Sequence, residues 1–181
     1  MSLEDTMAVH RIIKMGNPIL RQVAEDLSIE EIHAEETKTL IADMFETMQE
    51  AQGIGLAAPQ IGVSKKIAII EVPSENERYP ESEQSDQFII INPQIEYLTE
   101  EQQGFWEGCL SVPGLRGFVE RPSKIRVNYL DQEAKSKSIE LEGFLATVFQ
   151  HELDHLFGKI YVDRITDMTK LSYEDEFIEE A

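Results

Sequence analysis

The hydrophobic period of the chain changes several times along its length, and each change marks an expected element. Ile29, Ile32, Leu40, Ile41, Met44, Phe45 and Met48 recur at helical spacing, while Glu30, Glu35, Glu36, Asp43 and Glu46 fall where water is expected. Ser28-Ile-Glu-Glu31 has the form of a capping box, so a helix is expected over 29–50, its Met and Phe stripe in the core. Gly53 and Gly55 end it and lead into a loop closed by Pro59, while Asn17-Pro18 breaks the chain upstream.

Short β-branched runs follow at 67–72, 88–92, 95–98, 125–130 and 137–141, with turn residues between them, and these predict strands. The polar stretch 73–87 reads as a surface loop or a long hairpin excursion. From 143 to 157 the period becomes helical again, with Leu145, Val148, Phe149 and Leu156 apolar and Gly158 as a stop. No internal repeat is visible.

Composition narrows the class. With 181 residues, 41% hydrophobic and 28% charged, the chain is expected to be a single globular domain, 1–181, with an N-terminal leader at 1–11 and an acidic tail at 166–181. Met7 is a candidate native start. The formal charge of -19 repels phosphate backbones and anionic lipid, which argues against direct nucleic-acid or membrane binding. The excess acid sits in Glu75, Glu77, Glu81, Glu83 and Asp86 and in the tail (Glu174, Asp175, Glu176, Glu179, Glu180), where solvated surface explains it. One cysteine, Cys109, permits no internal disulfide, and no apolar run of signal or membrane length occurs near the start; a cytoplasmic protein is expected.

The sharpest chemical signal lies on the second helix. His151-Glu152-Leu-Asp-His155 sets two imidazoles four positions apart, one turn along one helical face, so both can reach one metal ion with Glu152 alongside. His10 and His33 have no such context. A hydrolytic metal usually keeps three protein ligands and one open position, so a third ligand is needed. Glu174 is one candidate, as in metallopeptidases with a downstream glutamate. Cys109, in Glu107-Gly-Cys-Leu-Ser111, is the other. A lone cysteine is more often a small buried apolar residue. Here Gly108 before it and Val112-Pro113-Gly114 after it suggest a tight loop rather than a core strand, and a thiolate suits a soft divalent site, which favours Cys109. A non-catalytic structural metal would need a fourth ligand, and none is evident.

A third segment, Gly53-Ile-Gly-Leu-Ala-Ala-Pro-Gln60, joins two glycines to an amide that could donate to an oxyanion. Alone it reads as a helix stop and turn. Together with Glu107-Gly-Cys-Leu-Ser111 and Gln150-His-Glu-Leu-Asp-His155, in that order, it resembles the three signature motifs of peptide deformylases. The similarity runs from about Ile12 to Ile165 and includes Gly16-Asn-Pro18 and Asp163-Arg164-Ile165.

That resemblance implies an α+β fold of antiparallel β-sheets packed around a central helix carrying the His-Glu-x-x-His motif. It implies hydrolysis of the N-formyl group from the initiator methionine of newly made polypeptides, releasing formate. Cys109, His151 and His155 would hold one divalent metal, Fe(II) in most of the family, with Zn, Ni or Co also accepted by such ligands. Glu152 would be the base, and Gln60 with the Leu110 backbone N–H would stabilise the oxyanion. Ile54, Gly55 and Gly108 would pair with an extended peptide, and Ile54, Phe144 and Val148 would form the methionine pocket. Arg116 would pair with Glu107 and brace the cysteine loop. Some family members dock on the ribosome through a basic C-terminal helix. The acidic tail here argues against that route and leaves at most a transient contact. A monomer is expected, and a metallopeptidase using Glu174 is the rival reading.

Overall fold

The computed structural model describes residues 8–73 and 85–177. The first residues of the expected leader, most of the acidic loop and the last four residues of the tail lie outside the described residues. The capping box forms as read, Ser28 Oγ accepting from the Glu31 N–H and the Glu31 carboxylate from the Ser28 N–H, and it opens α1 (Ile29–His33). The single helix expected over 29–50 is instead two. Ala34 takes an extended conformation (ψ 144°) and separates α1 from α2 (Glu35–Glu50). Of α2, Thr37, Ile41, Met44 and Met48 are buried at spacings of three and four, so the apolar stripe is core.

Five antiparallel strands form one sheet in the order β1-β2-β3-β6-β7: β1 (Gly55–Ala57), β2 (Ile67–Ile70), β3 (Phe88–Tyr97), β6 (Lys124–Leu130) and β7 (Ser136–Glu142). A smaller sheet runs β4-β5-β8, with β4 (Gln102–Cys109), β5 (Val112–Pro122) and β8 (Leu171–Tyr173). The two runs expected at 88–92 and 95–98 are one strand. Asn92 has φ 49°, the register shifts between Ile91 and Gln94, and the Asn92 amide bonds Leu27 N and O, so a bulge absorbs Pro93, which has no N–H to give.

β2 is buried at all four positions because both faces of its sheet are covered. Ile67, Ile69 and Ile91 pack with Met44 and Met48 of α2, whereas Ile70, Ile90, Ile125 and Val127 pack with α3 (Gly143–Leu156) through Ala146, Phe149 and Leu153. The opposite flank of α3 meets the small sheet, where Gln103 Nε2 bonds Gly143 O and Thr147 Oγ1, and Gln150 Nε2 bonds Pro122 O. The helix carrying the His-Glu-x-x-His motif is thus enclosed by two antiparallel sheets. That is the expected fold class. Among the described residues, no helix is long and apolar enough to cross a membrane.

Candidate active site

The cysteine segment and the histidine helix meet inside the molecule. Cys109 is the last residue of β4 rather than part of a free loop, and Leu110-Ser111 make the turn into β5. On β4 the residues Gln103, Phe105, Glu107 and Cys109 share the face toward α3, as the two-residue strand period requires, since each contacts that helix. Cys109 Sγ lies 3.4 Å from His155 Nε2, and one ligand atom from each of Cys109, His151 and His155 falls within 4.8 Å of the others. Sulfur and nitrogen donors at about 2.3 and 2.0 Å from one centre would be separated by such distances, so the three residues fit a divalent metal. Glu174 is not part of the cluster. It follows β8, its N–H bonds Gly114 O, and its carboxylate lies 3.9 Å from Arg116 Nε.

The ionisation of the cluster agrees with a ligand role. Burial alone pushes the Cys109 thiol up, yet the imidazoles of His155 and His151 outweigh it and hold the thiol well below its ordinary value. His151 Nδ1 meets Glu107 Oε1 at 2.8 Å, which leaves Nε2 of the same ring to face the cluster. Glu107 is buried, and burial works against its charge. The bonds from His151 and Arg121 prevail and keep it below the usual carboxylate range.

Arg121, not Arg116, is the arginine bonded to Glu107. Its Nε and Nη2 grip Oε2 and Oε1 at 2.8 and 3.0 Å, and its Nη1 reaches Asp154 at 2.9 Å. The reason is strand parity. Glu107 pairs with Gly117, so on β5 the positions of Gly117's parity, Arg121 among them, face α3, and Arg116 faces the other way. Arg116 stands instead over the Phe177 ring, 5.7 Å from its centroid. Arg121 and Asp154 escaped the sequence reading, as did Ser111; the parity of a β4-β5 hairpin would have found the first.

Gln60 is buried at the end of a 3-10 turn, Ala58–Ile61. Its Oε1 accepts from the Ala57 N–H at 2.9 Å, which turns Nε2 toward Ser111 Oγ (3.1 Å) and Cys109 Sγ (3.6 Å). Glu152 is 5% exposed, its Oε2 has no protein partner among the described residues, and burial raises its carboxyl above the ordinary value against the pull of His151 and His155. A carboxylate raised in this way holds a proton more readily than an ordinary one, which suits it to taking and returning one.

A cleft opens onto this cluster. It brings together most of the residues singled out from sequence: Ile54, Gly55, Gln60, Glu107, Gly108, Cys109, Leu110, Phe144, Val148, His151 and Glu152 all line it. His155 lies behind them, fully buried. Phe105, Trp106 and Thr147 line it too and were not anticipated. The Phe105 and Phe144 rings meet edge to face at 5.8 Å.

Three protein donors, a buried carboxylate beside them and an apolar cleft define a metal-dependent hydrolase, the class in which a carboxylate neighbour handles the protons of an attacking water. Comparison with known proteins makes the class specific. The model of the polypeptide deformylase family matches residues 9–171. The peptide deformylase of Leptospira biflexa is 52% identical over 170 residues, 94% of this chain and 95% of its own. Peptide deformylase 1 of Bordetella pertussis is 48% identical over 165 residues, 91% and 92% of the two chains. A class I type b peptide deformylase of Acinetobacter baumannii, solved bound to Met-Ala-Ser, superimposes with a TM-score of 0.85 at 36% identity, covering 88% of this chain and 99% of that one. The chain belongs to the polypeptide deformylase family, and its activity is hydrolytic removal of the N-formyl group from newly made polypeptides.

Proposed function

We propose that Cys109, His151 and His155 hold the metal, that Glu152 is the proton-transferring base, and that the methionine side chain occupies the apolar end of the cleft. The observation that carries this reading is the convergence of the three donors with the unpartnered Glu152 carboxylate in one cleft. The metal, which we take to be Fe(II) while Zn, Ni or Co suit the same ligands, supplies Lewis acidity to a water molecule and to the formyl oxygen when bound.

Glu152 takes the proton of the water that attacks the formyl carbon. It returns a proton to the nitrogen as the C–N bond breaks, giving formate and a free amine. The oxygen of the former carbonyl gains charge in that step, and Gln60 Nε2 and the Leu110 N–H are the donors assigned to it. Losing one such donor costs about 3 kcal/mol in other hydrolases. The Ala57 N–H supports the Gln60 assignment, because it selects the amide orientation that presents N–H groups to the site. Glu107, gripped by Arg121, fixes the tautomer and angle of His151.

β1 and β4 stand at the edges of their two sheets, and Ile54, Gly55 and Gly108 line the cleft. An extended peptide would pair there through its backbone, which recognises any sequence, while Ile54, Phe144 and Val148, with Phe105, would select methionine. The substrate is then any formylmethionyl chain. We further take the protein to act as one catalytic domain, a monomer in the cytoplasm, meeting the ribosome at most transiently.

Formate release from formyl-Met-Ala-Ser tests the assignment, using protein prepared without oxygen and reloaded with Fe(II) or Ni(II), beside Glu152→Ala. Release by the wild type and not by the variant supports it. A fully active Glu152→Ala would remove Glu152 from the reaction.

A further inference from the structure

The face of β4 turned away from α3 is also organised. Trp106, at the middle of that face, lines the cleft, while its ring meets Phe118 of β5 edge to face at 5.8 Å and Phe177 at 4.8 Å. Gly104 makes room for this, since a Cβ there would stand 2.2 Å from Phe118. Phe177 arrives from the C-terminal segment, which pairs with β5 through Leu171, Ser172 and Tyr173 and is tied by Glu174 N–H to Gly114 O. Arg116 lies over the Phe177 ring and Lys170 over the Phe118 ring, 4.5 Å from its centroid. The tail segment therefore props an aromatic wall beside the cleft, and nothing in the hydrolytic steps uses it.

We propose that Trp106, propped by Phe177, reads the side chain of the residue that follows the methionine and favours a large apolar or aromatic one. The inference rests on the peptide path proposed above. A peptide added to the edge of β4 presents successive side chains to opposite faces of the sheet. Methionine goes to the face of Phe105 and Glu107, where the apolar pocket lies between β4 and α3. The next side chain must then go to the opposite face, the one on which Trp106 stands. A strand rises about 3.3 Å per residue, so Trp106, three positions before Cys109, lies about 10 Å from the ligand sulfur along β4, within reach of the side chain that follows the methionine. An aromatic or long aliphatic side chain there gains a packed partner, and glycine gains none. Trp106 is the specificity-determining residue, and Phe177 is a positioning residue acting through it.

The test compares kcat/KM for formyl-Met-Phe-Ser and formyl-Met-Gly-Ser using metal-loaded wild type, Trp106→Ala and Phe177→Ala. Aromatic pairs contribute on the order of 0.5–1.5 kcal/mol beyond area, so the wild type should prefer the Phe peptide by roughly two- to tenfold, expressed in KM. Trp106→Ala should bring the ratio close to one, and Phe177→Ala should lower it part of the way. A variant that folds poorly loses activity on both peptides equally and leaves the ratio alone, so the ratio separates reading from mere stability. A ratio near one in the wild type, or one unchanged in both variants, overturns the proposal while leaving the peptide path intact. Failure of the wild type to release formate from either peptide overturns the path itself and the proposal with it.

Discussion

Gly55→Ala is a one-carbon change whose effect can be worked out in advance. An added Cβ would lie 2.6 Å from Glu152 Oε1 and 2.7 Å from both Cδ and Cγ of the same side chain. Gly55 is not among the residues with positive φ, so alanine suits its backbone and the whole effect must come from contact. Rotating the carboxylate cannot relieve a clash that includes Cγ. Carbon atoms settle at about 3.5 Å, so Glu152 or the β1 backbone must give way by about 0.8 Å. A misplacement near 1 Å in a reacting constellation costs about 100-fold, and kcat should fall by ten- to a hundredfold. The nearest atoms to the new methyl all belong to Glu152, not to Cys109 or the histidines, so metal content should be unchanged. The assay is formate release under saturating formyl-Met-Ala-Ser, with metal stoichiometry measured on the same samples. A folded, metal-loaded Gly55→Ala with wild-type kcat would refute the reasoning and show that Glu152 is not held where its role requires.

Other expected outcomes follow from single contacts. Glu107→Gln removes the charged acceptor of His151 Nδ1 and should weaken metal binding by about 10- to 100-fold in competition with a chelator. Arg121→Ala leaves the buried Glu107 carboxylate without its guanidinium, while Asp154 keeps Arg164, and should cost about 3–5 kcal/mol in urea unfolding; a loss below about 1 kcal/mol would contradict the buried pair. Cys109→Ala should abolish metal binding, whereas Glu174→Ala should retain it, and metal analysis of the purified variants distinguishes this site from a peptidase-type one. Asp43 holds the Ala8 N–H and the His10 ring; burial opposes its charge, but these bonds keep its carboxyl below the ordinary value. Its folded value being the lower one, the stabilisation is complete above the unfolded value of about 4 and fades as pH falls through the folded value. The protection factors of the Ala8 and His10 amides, each rate taken relative to the intrinsic rate at that pH, should therefore fall below about pH 4 in the wild type, and Asp43→Asn should blunt that dependence.

How much of this was legible beforehand depended on the range of the interactions. His151, Glu152 and His155 could be read together because a helix brings positions four apart onto one face, a relation written into the sequence itself. The capping box of Ser28 and Glu31 is equally local. β4 and β5 were missed: Gly104, Gly108, Gly114, Gly117 and Pro113 dilute their strand character, and their pairing is fixed by neighbours far along the chain. Arg116 is the expected partner of Glu107 for want of that register, since an arginine five positions further on lies on the opposite face. The break at Ala34 was invisible because alanine favours helix; the chain turns there although its composition does not ask it to. Cys109 is joined to the histidines by its glycine-flanked segment and its thiolate chemistry, and the family motifs strengthen that choice.

The ligand cluster has a mechanical consequence. Cys109 ends a strand of the small sheet, while His155, 46 positions later, sits near the end of the helix that the large sheet packs against. An ion bound there fastens the two sheets through a closed loop of chain, in a protein whose lone cysteine can form no intramolecular disulfide. On the chain-entropy scale used for such crosslinks, a loop of this length corresponds to about 4 kcal/mol. An ion held there would be a rivet as well as a reagent, and a cell short of it would hold a protein both looser and idle.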